Sequence, residues 1–127
     1  MPIPLDAGRL HLVMSETEEE SMSELKKYHG GVDGYARDAR KFHKLCYTKD
    51  AQVPLEEIRA AFLDLLDKSA GTRFEVWTHE RMAEEYLSRG MTEQATNEAD
   101  IAVSLATPGY DSPLARIILA QIKADAP

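Results

Sequence analysis

Ala95, Ala99, Ala102 and Ala106 recur at steps of four, three and four residues, which lines their methyl groups along one stripe of a helix. Side chains that small let a neighbouring helix come close, so the stripe dictates packing rather than chemistry. It lies within Met82 to Pro108, MAEEYLSRGMTEQATNEADIAVSLATP, which reads as two amphipathic helices joined by Gly90. With 127 residues, 43% of them hydrophobic, the chain suits one domain around one core, and no linker rich in Gly, Ser or Pro divides it. The expected class is all-α: a single domain over residues 1–127, with five or six helices stacked as antiparallel hairpins and residues 1–30 peripheral or flexible.

The other elements follow from caps and periodicity. Ser15 with Glu18 forms a capping box that starts a helix near Glu16, ending at Gly30 or Gly31. Asp33 is placed to cap a helix over 34–47 whose Tyr35, Ala39, Phe42 and Cys46 face inward. Pro54 opens a third helix, with Leu55, Ile58, Phe62, Leu65 and Leu66 buried and Gly71 as its C-cap. From Thr78 to Arg89, Met82, Ala83, Tyr86 and Leu87 share one face; Glu80, Arg81, Glu84, Glu85 and Arg89 share the other. Thr92 is the expected cap of the alanine-bearing helix, and Ser112 with Pro113 launches a last helix carrying Leu114, Ile117, Ile118 and Ile122. Thr72 and Glu75 form another capping box, yet the run TRFEVWT favours β structure. If it pairs with the alternating stretch Arg9–Met14, the alternative is an α+β fold with a two-stranded ribbon from residues 9–14 and 73–77.

Met82, Ala83, Tyr86, Gly90, Ala95, Ala102 and Pro108 stand at nearly the spacing of a tetratricopeptide repeat, and residues 79–108 resemble one such repeat. His79 occupies the place of a large aromatic, and Pro108 arrives one residue late. The resemblance covers about a quarter of the chain. No second copy is legible upstream, although an array needs about three units; Ser112 to Ala124 would serve as a solvating end helix. The resemblance implies a superhelical hairpin stack whose concave surface binds a peptide or partner helix through Trp77, Glu80, Glu84 and Ser88. Some members of the family grip acidic tails with Lys and Asn at such positions. Two glutamates there would repel a carboxylate, so the implied partner segment is basic or apolar.

The formal net charge is -7, and residues 51–127 carry most of it, with seven Lys or Arg against thirteen Asp or Glu. Such a surface repels phosphate backbones. One basic stripe, Arg37, Arg40, Lys41 and Lys44, runs along a helix face and is the candidate anion site; its bland reading is a solvated face paired with the glutamates of residues 16–24. It carries no interleaved aromatics, which disfavours nucleic acid. Among His11, His29, His43 and His79 no pair has metal-ligand spacing, and His79–Glu80 fails H-E-x-x-H because Ala83 holds the second ligand position. Glu75 and His79 stand one turn apart and would need a third ligand from elsewhere. Gly30, Gly31 and Gly34 lack the spacing of a phosphate loop. No catalytic residue, metal or cofactor is therefore expected. The longest strongly apolar run, Ile117 to Ala120, falls far short of the ~20 residues that span a bilayer, and Leu10 to Met14 does not make a secretory signal. The lone Cys46 suits a reducing compartment, and a cytoplasmic location is expected.

The expected function is a non-catalytic protein–protein interaction module, an adaptor, chaperone-like or regulatory protein. The alternatives are a small ligand-binding protein or enzyme acting on an anionic substrate, and a nucleic-acid-binding regulator that uses the basic helix 34–47.

Overall fold

The computed structural model describes residues 26–47 and 53–126. Within them lie five helices and no sheet: α1 Gly31–Cys46, α2 Leu55–Ser69, α3 Glu75–Ser88, α4 Thr92–Ser104 and α5 Pro113–Asp125. The class is all-α, and the β-ribbon is ruled out at residues 73–77. Arg73 and Phe74 form a turn and Glu75 begins α3, because the Thr72 hydroxyl accepts from the Phe74 N–H at 3.1 Å while Glu75 Oε1 accepts from the Gly71 N–H at 2.9 Å. That reciprocal start satisfies backbone donors at the helix entrance and outweighs the local β preference. Its supposed partner strand and the Ser15–Glu18 box lie outside the described residues; residues 26–30 are coil and turn rather than a helix end.

Each helix packs on the next, and α1 also touches α3, as α3 touches α5, whereas α2 and α4 do not meet. Pairs of side chains fix the directions. Ser69 meets Thr78 while Arg59 meets Tyr86, so α2 and α3 are antiparallel. Tyr35 meets Thr78 near the start of α3, and Cys46 lies beside Glu85 near its end, so α1 and α3 are parallel. The result is a stack of antiparallel hairpins in which α3 is the central element.

Two apolar clusters meet across α3. The first holds Tyr28, Tyr35, Phe42, Ile58, Phe62, Leu65, Phe74, Met82 and Tyr86; Tyr35 stacks on Phe74 with centroids 4.8 Å apart. The second joins Val76 and Ala83 to Ala99, Ala102, Ala115 and Ile118. Ala95, Ala99 and Ala102 are fully buried, as their spacing requires, and Ala106 lies half-buried beyond the end of α4. On α5, Ile118 is buried while Ile117 is 59% exposed.

Local differences from the sequence expectations have physical causes. α1 starts at Gly31 rather than after Asp33, because Gly30 takes a left-handed φ of 83° that turns the chain into the helix before any side-chain cap. Gly34 sits so near the His29 carbonyl that a Cβ there would lie 2.1 Å from its oxygen. Ala70 rather than Gly71 is the C-cap of α2. Thr92 is the first residue of α4 and caps nothing; the chain is turned by Gly90 and by the Met91 N–H donating to Tyr86 O at 2.9 Å. Ser112 does cap α5, accepting from the Ala115 N–H at 3.0 Å, with Pro113 following it. α3 begins earlier than Thr78, and Glu85 is buried, with Arg89 holding its carboxylate at 2.5 Å.

Candidate functional site

An open groove of about 490 Å³ runs between α1 and α3. Its α1 wall is Val32, Tyr35, Ala36, Ala39, Arg40 and His43; its α3 wall is Trp77 and Arg81. The alanines hold the wall of α1 low, and Trp77 contributes a broad apolar surface. Beyond Arg81 a narrower cleft continues past Phe42, Cys46 and Tyr47 to Glu84.

Behind the groove, three buried hydroxyls meet, of which only that of Tyr35 belongs to a lining residue. The Tyr35 and Thr78 hydroxyls are 3.0 Å apart and the Ser69 hydroxyl is 2.8 Å from the same Thr78 oxygen, which ties α1, α2 and α3 together. Burial raises the pKa of Tyr35, opposed by the hydrogen bonds of Thr78 and Arg81, so the phenol is neutral. Trp77 is held from the other side: its Nε1–H donates to Asp111 O at 2.9 Å and its ring lies 5.4 Å from that of Tyr110.

Arg81 is the residue that the sequence did not single out. Its Nε is buried and has no hydrogen-bond partner. Among the described residues no carboxylate forms an ion pair with Arg81 or with Arg40. The available signal was its place four residues after Trp77, which sets both on one face of α3.

Of the four residues expected to face a partner, Trp77 lines the groove and Glu84 lines the cleft below it. Glu80 instead accepts from the Ser112 hydroxyl at 2.6 Å, and burial raises its pKa. Ser88 is exposed at the end of α3, its hydroxyl donating to Glu85 O at 2.8 Å. The basic stripe is divided. Arg40 borders the groove, while Arg37, Lys41 and Lys44 are exposed, Arg37 standing 3.5 Å from Asp38. The glutamates proposed as partners of that stripe lie outside the described residues.

The third group sought beside Glu75 and His79 is Glu98, and it makes an ion cluster. His79 Nδ1 lies 2.7 Å from Glu98 Oε1 and Nε2 lies 3.1 Å from Glu75 Oε2. Burial lowers the imidazole's pKa, but hydrogen bonds to the two carboxylates outweigh it and leave the value raised. Each ring nitrogen lies within hydrogen-bond reach of a carboxylate oxygen, an arrangement that favours the doubly protonated imidazolium. No group of three or more His, Cys, Asp or Glu among the described residues is arranged to hold a metal. Cys46 is half-buried and its thiol is pushed up to about 12, first by burial and then by Glu85, which suppresses the nucleophilic thiolate. No helix among the described residues is long and apolar enough to cross a membrane.

Comparison with family models, with curated proteins and with solved structures gives no match for this chain.

Proposed function

We propose that this chain is a non-catalytic protein–protein interaction module that receives a peptide or helix of a partner in the groove between α1 and α3. The observation that carries this reading is the groove itself: two parallel helices wall an open channel, with alanines and an indole lining it. The contacts of α1 with α3 and of α3 with α5 support a tetratricopeptide-like arrangement, in which such a face is the docking surface.

Filling the groove tests the proposal. Ala36 is exposed in its wall and Ala60 is exposed on α2, so Ala36→Arg obstructs the groove while Ala60→Arg is its control. The expected result is a partner captured by the parent protein and the Ala60→Arg variant but lost by Ala36→Arg. Equal capture by all three overturns the reading.

A further inference from the structure

We propose that the segment received by this groove carries a carboxylate and that Arg81 is the residue that binds it. This rests on the groove being a docking site and adds the chemistry of the group it takes. A guanidinium is charged at any ordinary pH and offers five N–H donors in a planar fork. Arg81 shares a hydrogen bond with the Tyr35 phenol, and its buried Nε has no hydrogen-bond partner among the described residues. None of the three glutamates on its own helix forms an ion pair with it: Glu80, which feels its charge, accepts from Ser112, Glu85 takes Arg89, and Glu84 lines the lower cleft beside it. Arg40 adds a second guanidinium from α1 at the groove's edge, one that pairs with no carboxylate among the described residues.

Charge complementarity therefore selects an anion, reversing the sign inferred from Glu80 and Glu84. Glu84 nearby opposes a dianionic phosphate and leaves the singly charged carboxylate as the better match. Ala36 and Trp77 line the same groove as the guanidinium, so an apolar side chain next to the carboxylate has a place to lie. A partner segment with an acidic residue beside an apolar one satisfies both halves of the groove.

Trp77 is the sole tryptophan and lines the groove, so its emission reports occupancy in the full chain. The probes are a capped amphipathic peptide of about three helical turns with leucines on one face and glutamates at the edge, its counterpart with every Glu replaced by Gln, and sodium acetate. The glutamate peptide is expected to bind at least ~10-fold more tightly than the glutamine peptide, with acetate competing only at far higher concentration. Arg81→Gln is expected to erase the preference and Arg81→Lys to restore part of it, with circular dichroism confirming the fold. Should Arg81→Gln fail to fold, the exposed Arg40→Gln is expected to narrow the preference about threefold. Equal binding of the two peptides, or a preference that survives both Gln variants, overturns the carboxylate. Acetate competing as well as the peptide overturns the need for a segment. Binding by neither peptide overturns the docking site on which the inference rests.

Discussion

His79 is an imidazole whose charge is decided by two neighbours, Glu75 on its own helix and Glu98 on α4, with Phe62 of α2 packed edge-on against it. Its folded pKa is raised above the ordinary 6.5, so the folded state holds the proton more tightly than the unfolded chain. The stabilisation is complete below about pH 6.5 and is lost as pH rises through the folded value. His79→Gln is accordingly expected to cost about 1–3 kcal/mol near pH 5.5 and less near pH 8.5, read from urea unfolding at the two pH values. A difference that grows toward alkaline pH would contradict the ion cluster. Gly34 poses a steric rather than an electrostatic condition. Gly34→Ala drives a methyl into the His29 carbonyl, which is backbone and cannot swing aside, and is expected to lower stability by about 1–3 kcal/mol. An unchanged thermal midpoint would mean that the turn at 29–31 yields freely.

Helix α4 is an element whose identity is written in its small side chains. Ala95, Ala99 and Ala102 have no exposed surface, so Ala99→Leu inserts three carbons where none fit and is expected to lose about 1–3 kcal/mol, while Ala106→Leu beyond the helix end costs little. Differential scanning calorimetry separates the two. At the start of α5, Ser112→Ala removes both the cap of the Ala115 N–H and the hydroxyl that Glu80 accepts from, for an expected loss of about 1–2 kcal/mol. Such features were legible because they are local: spacing alone put the alanines on one stripe, and Ser followed by Pro announced a helix. What failed to read was tertiary. Asp33 and Thr92 have capping chemistry, but Gly30 and the Met91–Tyr86 turn had already set those helix starts. Glu85 has an outward-looking sequence context, and only the return of Arg89 onto it one turn later explains its burial. Of the residues lining the groove and cleft, Trp77 and Glu84 were singled out only through the tetratricopeptide resemblance. Arg81 was not, since an arginine among glutamates on a polar face looks satisfied until its side chain is placed.

At the scale of the whole molecule, a net charge of -7 coexists with a groove bordered by two guanidiniums that pair with no carboxylate among the described residues. The rest of the basic stripe faces away, and exposed charges in physiological salt interact weakly beyond about 8 Å. Replacing Arg37, Lys41 and Lys44 together by Gln is thus expected to leave affinity for the glutamate peptide within about threefold. Complete loss, with a steep salt dependence, would relocate binding to the outer face of α1 and favour a phosphate-reading role. The groove's dimensions trace to Thr78, whose hydroxyl meets those of Tyr35 and Ser69 and so indexes three helices against a single oxygen. A shift of α1 by one turn would strand the phenol, and a shift of α3 would break both contacts at once, since hydrogen bonds are short-ranged and directional. The channel is consequently a slot of preset width rather than a jaw, and the entropy of complex formation falls on the guest, with the host already in its final shape.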